Sequence, residues 1–269
     1  MVFKGWILMT AVFLQSTANG ATPLPEAPVA ERTSPDYVVV LHGMGRTHHS
    51  MARVAHHFSR QGYTVINRSY PSRDKTIHVL SEEWLHSLLE REITDPQVKV
   101  HFVTHSLGGI VLRHYLKHHE LPNLGRVVML APPNQGSELV PIMGRLPIYG
   151  WIVGPAGLEL GIDEDAVPLQ LGPATFELGV IAGNRSLNPV YSWMIPGPDD
   201  GKVSVARARL DGMRDFVTVP YSHTWLMNRK NSLQHMERFI RTGAFEEPLG
   251  RREVETRSVA NSPDTVMRR

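Results

Sequence analysis

One stretch constrains the fold more than any other: Val98-Lys-Val-His-Phe-Val-Thr-His-Ser-Leu-Gly-Gly109. Val98, Val100, Phe102 and Val103 give its first half the β-branched and aromatic content of a strand. A helix opens near Leu107. Gly108 and Gly109 lack side chains, so that helix can pack closely against the strand it has just left. A turn this sharp holds Ser106 clear of the sheet. The helix then aims backbone N–H groups and the positive end of its dipole at any negative charge that forms beside the hydroxyl.

Turns of this kind that present a nucleophile are ordinarily written G-x-S-x-G. Here the pentapeptide is Thr104-His-Ser-Leu-Gly108, with threonine in place of the first glycine. That puts a bulkier side chain where strand and helix cross. Taken alone, the pentapeptide also reads as a glycine-containing turn with a solvent-facing serine, so its surroundings must decide.

Strands and helices alternate around it. The apolar run 37–41 predicts a strand buried on both faces, ending in His42-Gly-Met-Gly45. Met51, Val54, Ala55 and Phe58 share one helical face that stops near Gly62. Residues 63–67 predict a strand, and 76–93 an amphipathic helix with Ile77, Leu80, Trp84, Leu85, Leu88 and Leu89 on one stripe. Further strands are expected over 126–131, 176–182 and 215–219, with a loop over 184–201. A closing helix follows Asn231, with Leu233, Met236 and Ile240 inward and Gly243 as its stop. The fold class is therefore α/β: a mostly parallel central sheet with helices on both faces, in one domain over 36–243. Ligands of such sheets sit at the carboxyl ends of strands, where Gly43, Ser106 and Pro132 all fall.

Residues 137–175 break the alternation. They are studded with Pro and Gly yet carry Ile142, Met143, Leu146, Ile148, Tyr149, Trp151, Ile152 and Val153. This is an apolar, lid-like insertion, with Tyr149, Trp151 and Ile152 as candidate substrate-pocket residues. The alternative is extra packing under a long loop.

A serine hydroxyl at neutral pH needs a base, and the base needs a carboxylate to orient it. His223 follows the last strand. Asp200 lies one strand earlier, in Pro198-Asp-Asp-Gly-Lys-Val203. The order Ser, Asp, His is the one associated with this kind of turn. Asp199 remains an alternative to Asp200. The paired histidines His48-His49, His56-His57 and His118-His119 invite a metal reading, but neighbours on a helix face different ways. His114 and His118 stand one turn apart without the glutamate of a zinc-protease motif between them. They read as solvated faces, and neither a metal nor a cofactor is expected.

In this setting the chain resembles the α/β-hydrolase superfamily, and within it the small bacterial lipases and esterases with a His-Gly oxyanion loop. The resemblance covers roughly 36–242 and rests on Leu41-His-Gly-Met44, Thr104-His-Ser-Leu-Gly108, Asp200-Gly-Lys-Val203 and His223, in that order. Ala131-Pro-Pro-Asn-Gln-Gly-Ser137 also resembles the segment after the next strand in such lipases. The resemblance implies Ser106 as nucleophile, His223 as general base and then acid, and Asp200 as the group fixing the imidazole tautomer. It further implies the backbone N–H groups of Met44 and Leu107 as the oxyanion hole, with the Met44 side chain free to vary. The implied activity is hydrolysis of carboxylic esters with an acyl or lipid-like group. The same three side chains could equally act on an amide or thioester, or pass the acyl group to another acceptor. A hydrolase fold kept as a non-catalytic binding module is the rival of a different class.

The first twenty residues read as a secretory signal, with Lys4 before the apolar run 5–14 and Ala18 and Gly20 at a cleavage site. An uncleaved membrane anchor is the alternative. The chain has no cysteine, so an exported fold would rest on its core without disulfides. Periplasmic or extracellular location is expected, with an extended lead-in over 21–35 and a disordered tail over 244–269. Formal net charge is +2 with no basic stripe, which argues against nucleic acid as a partner. A small acyl ester or lipid is the expected substrate, with peripheral contact to a lipid surface as a further possibility.

Overall fold

The computed structural model describes residues 34–246. The expected leader, most of the expected lead-in and most of the expected tail fall outside the described residues. Six strands form one sheet: β1 Tyr37–Leu41, β2 Thr64–Asn67, β3 Val100–His105, β4 Leu124–Leu130, β5 Leu178–Gly183 and β6 Asp215–Val219. Their order is β2-β1-β3-β4-β5-β6, and every pairing is parallel. The elbow strand β3 thus lies near the middle of the sheet, where a side chain at its carboxyl end has neighbours on both sides.

Alternation along β1 explains why its sequence is apolar throughout. Val39 and Leu41 enter one core, while Val38 and Val40 enter the other. Helix α1 Ala52–Arg60 and helix α10 Lys230–Thr242 cover the second face, through Val54, Phe58, Leu233 and Phe239. The first face is covered by α2 Ile77–Val79, the π-helical turn Leu80–Leu85, α3 His86–Glu92 and the elbow helix α4 Leu107–His118. Gly243 ends α10 in the left-handed conformation at φ 78°, the geometry a glycine adopts at least cost.

Several expectations change in detail. The sheet is wholly parallel. β5 begins at Leu178, because Phe176 precedes the pairing with β4. The loop over 184–201 contains a short helix, α8 Pro189–Met194, capped by the Asn188 side chain. A further one-turn helix, α9 Val205–Ala208, is capped by Ser204. The packed domain extends past residue 243, since Phe245 is buried against Phe239 in the second core.

The insertion carries α5 Leu139–Met143, α6 Pro147–Leu158 and α7 Val167–Gln170. It is tied down at several points. Arg113 of α4, buried and with no carboxylate partner among the described residues, donates to the carbonyls of Asn134, Pro168 and Gly172. Ala156 N–H donates to the Lys75 carbonyl. At Gly154, φ is 70° and a side chain would collide with the Arg73 carbonyl, so α6 kinks there and lies against the 73–75 loop.

Candidate active site

Ser106 sits between β3 and α4 with φ 53° and ψ −123°, a left-handed conformation that costs a non-glycine residue of order 1–3 kcal/mol. The surroundings hold it there. Its N–H donates to the Leu130 carbonyl at 2.9 Å, and the helix packs where only glycine fits. A Cβ on Gly108 would meet the His42 carbonyl oxygen at 2.8 Å. One on Gly109 would lie 3.2 Å from Thr104 Oγ1 and 3.1 Å from Met129 Sδ. The threonine is therefore accommodated beside Gly109, where a side chain would crowd its hydroxyl and the Met129 thioether. Its hydroxyl is fully buried with no hydrogen-bond partner among the described residues.

The structure brings Ser106, His223 and Asp200 together. His223 Nε2 lies 3.0 Å from Ser106 Oγ, and its Nδ1 lies 2.8 Å from Asp200 Oδ2. Asp200 Oδ1 accepts from the backbone N–H groups of Lys202 at 3.0 Å and Val203 at 2.9 Å. Asp200 is 2% exposed, and His223 N–H donates to its carbonyl. Asp199 faces elsewhere: its Oδ1 accepts from Ser192 Oγ and the Gly201 N–H. Of the adjacent carboxylates, Asp200 alone reaches the imidazole. Since an ionised carboxylate can only accept, His223 carries its proton on Nδ1 and turns a lone pair toward the serine hydroxyl.

Two further histidines shape the site without facing the serine. His42 is buried, and desolvation holds it below its ordinary value. Its Nε2 accepts from the Tyr70 N–H, which leaves Nδ1–H to donate to the Gly43 carbonyl at 2.8 Å. The Gly43–Met44 peptide is trans, so anchoring that carbonyl points the Met44 N–H the opposite way. Neither the Met44 nor the Leu107 N–H is taken by a backbone carbonyl among the described residues. His105 is fully desolvated and held well below its ordinary value by burial, and next by the adjacent His223. As a neutral ring it donates from Nε2 to the His223 carbonyl at 3.0 Å, which holds the His223 backbone in place. A side chain on Gly43 would meet His105 Nδ1 at 2.7 Å, so this loop requires glycine.

The serine opens into a cavity of about 320 Å³, within the range of small-molecule sites. Its walls come largely from the insertion: Leu139, Val140, Tyr149, Ile152, Val153 and Leu160. Burial pushes the Tyr149 hydroxyl up to about 12, so it stays protonated. Trp151 is a correction. Its side chain is 83% exposed and borders a separate hollow with Arg73 and Gly154, because the α6 backbone turns Ile152 and Val153 inward instead. Met44 is a second correction: its Sδ would meet a side chain on Gly157 at 2.6 Å, so its thioether fills the space between oxyanion loop and insertion. Sequence reasoning missed Arg46, Arg73 and Lys202, which bring positive charge to the same cavity. The Lys202 ammonium is held below its ordinary value by desolvation and by Arg46, against the pull of Asp200.

A parallel α/β sheet with a strained serine at the end of a central strand, a histidine beyond the last strand and a buried aspartate behind it defines a hydrolase-type site. The Alpha/beta hydrolase family matches residues 38–249, and the chain belongs to that family. Lysosomal thioesterase PPT2 of Rattus norvegicus is 26% identical over 248 residues, covering 79% of this chain and 77% of its own. The Bos taurus protein of the same name is 26% identical over 227 residues, covering 71% and 72%. Among solved structures, phospholipase PlaB from Legionella pneumophila superposes with a TM-score of 0.57 at 18% identity, over 71% of this chain but 53% of its own, so this chain spans about half of it. The mature lipase BlEst2 of Bacillus licheniformis gives 0.56 at 19% identity, over 78% and 93%.

Proposed function

We propose that this chain is a serine hydrolase that cleaves carboxylic esters bearing an apolar acyl group through a covalent acyl-enzyme. The observation that carries this is the hydrogen-bonded run from Ser106 Oγ through His223 to Asp200, opening into a cavity walled by aliphatic side chains. His223 Nε2 would take the proton as Ser106 Oγ attacks the acyl carbon. The tetrahedral oxyanion would sit against the N–H groups of Met44 and Leu107, each contributing on the order of 3 kcal/mol. Returned to the leaving oxygen, that proton would release the alcohol. Water, activated by the same imidazole, would then free the acid. Arg46, Arg73 and Lys202 favour a leaving group that carries negative charge.

A second reading, the thioester, is favoured by the thioesterase relatives. It uses the same residues and differs only in the leaving atom. The insertion would act as a lid, and its exposed Ile148 and Trp151 would rest on a lipid surface. Export remains part of the reading and rests on the leader alone.

Ser106→Ala tests the proposal. The variant should fold with an unchanged circular dichroism spectrum and lose hydrolysis of a p-nitrophenyl acyl ester and labelling by a fluorophosphonate. Retained turnover overturns it. Ester and thioester probes of matched chain length, with neutral and anionic leaving groups, separate the two readings.

A further inference from the structure

Two turns along α4 from the serine lies a cluster of titratable side chains that the hydrolase site does not use. His78 Nδ1 or Nε2, a Glu82 oxygen and a nitrogen of His114 all lie within 4.8 Å of one another. We propose that His78, Glu82 and His114 bind a divalent transition-metal ion of the zinc class, joining the π-helical turn Leu80–Leu85 to the elbow helix α4. No part of this rests on the hydrolase reading.

The donor set points to the ion. Two imidazoles and one carboxylate suit zinc and its first-row neighbours, whereas magnesium and calcium call for oxygen ligands throughout. Zinc bonds of about 2.0–2.2 Å in a tetrahedron put donor atoms roughly 3.3–3.5 Å apart. His114 Nδ1 already stands 3.3 Å from Glu82 Oε1. The His78 and His114 ring centroids are 5.4 Å apart at 72°. His78 is exposed, so its ring is free to swing inward and close the remaining edges, while His114 is 8% exposed and fixed by packing.

Supporting groups are present as well. His119 Nε2–H donates to Glu82 Oε2, the carboxylate oxygen not facing His114, and so would orient the carboxylate without competing for the ion. Ser81 Oγ lies 3.0 Å from His114 Nδ1 and 3.1 Å from Glu82 Oε1, so its hydroxyl occupies both donor atoms and would turn away as the ion enters. Glu82 itself sits in the π-helical turn, a rare geometry that recurs at functional sites because its extra residue re-aims the side chains of one turn. His114 lies eight residues past Ser106, about 12 Å along the helix axis, so a bound ion would stiffen α4 without touching the chemistry.

The test is titration of the metal-stripped full chain with Zn²⁺ by calorimetry, alongside thermal melts. One equivalent should bind, and a hundredfold excess over Kd should raise Tm by on the order of 5 °C. Mg²⁺ should do neither. His78→Ala removes an exposed ligand and should leave the fold intact. It should weaken Zn²⁺ binding at least tenfold, whereas His49→Ala, an exposed histidine elsewhere, should not. Absence of saturable binding, or equal binding by His78→Ala and the wild type, overturns the proposal. Loss of ester hydrolysis in Ser106→Ala with zinc binding retained would keep the two conclusions separate.

Discussion

Asp200→Asn tests the proposed role of the carboxylate through an atom-by-atom consequence of its surroundings. In the wild type, Oδ1 accepts from two backbone N–H groups and Oδ2 accepts from His223 Nδ1–H. An asparagine has only one acceptor oxygen. If that oxygen keeps the two backbone donors, the NH₂ group faces His223 and forces its proton onto Nε2, so the ring can no longer take the serine proton. Turning the amide over restores the tautomer but sets NH₂ against two buried N–H groups, at about 1–3 kcal/mol each. The productive orientation is thus disfavoured by about 2–6 kcal/mol. That corresponds to a fall in kcat/KM of roughly 30-fold to 10⁴-fold. The assay is steady-state turnover of a p-nitrophenyl acyl ester together with the rate of fluorophosphonate labelling, on protein shown to be folded by its melting curve. Asp199→Asn is the control. Its carboxylate bonds Ser192 and Gly201 but not His223, so its loss should stay within tenfold. A loss below tenfold in Asp200→Asn, or equal losses in both variants, refutes the reasoning.

Thr104→Val keeps the shape of a fully buried side chain and removes a hydroxyl with no hydrogen-bond partner among the described residues. It should raise stability by about 1 kcal/mol, read as a Tm increase of roughly 2–4 °C, and a fall in Tm would refute it. Glu159 accepts from the Ile77 N–H, yet desolvation raises its pKa above the ordinary 4.5, against that bond and the nearby His78. The folded state therefore holds the Glu159 proton more tightly than the unfolded chain. Stability from this group is fully present below pH 4.5 and is lost as pH rises through the higher folded value. The difference in Tm between wild type and Glu159→Gln, followed against pH in EDTA, should show that step. A difference that does not vary with pH would refute it.

Strand β1 was legible because a strand buried on both faces of a parallel sheet is apolar throughout, and Val38 to Leu41 satisfy both cores at once. Helix α8 was not, since six residues with none buried leave no apolar stripe. Its one available signal was local: Asn188 before Pro189, a capping residue followed by a residue preset for the first turn. The metal-like cluster was missed for a different reason. His78 and Glu82 are one turn apart, but His114 joins them only through packing of the π-helical turn on α4, and no spacing along the chain encodes that contact. His114 reads from the sequence as part of a solvated face, since no glutamate of a zinc-protease motif stands between it and His118, yet its side chain is buried.

The same distinction separates Ser106, His223 and Asp200 from the wall of the cavity beside them. A serine, a histidine and an aspartate at strand ends converge because a parallel sheet brings all its carboxyl ends to one rim, so residue type and strand order suffice to assemble them. Helix α6 is apolar on every side, and no periodicity says which side faces inward. That choice is made by distant contacts: the Arg73 carbonyl against Gly154, the Lys75 carbonyl on Ala156, and Met44 against Gly157. These turn Ile152 and Val153 into the cavity and leave Trp151 outside. Chemistry set by topology can be read from a chain, whereas specificity set by the roll of one helix requires the contacts that fix the roll. Under the proposed function, a substitution at Gly154 would therefore alter which acyl groups are accepted before it altered the arrangement at Ser106.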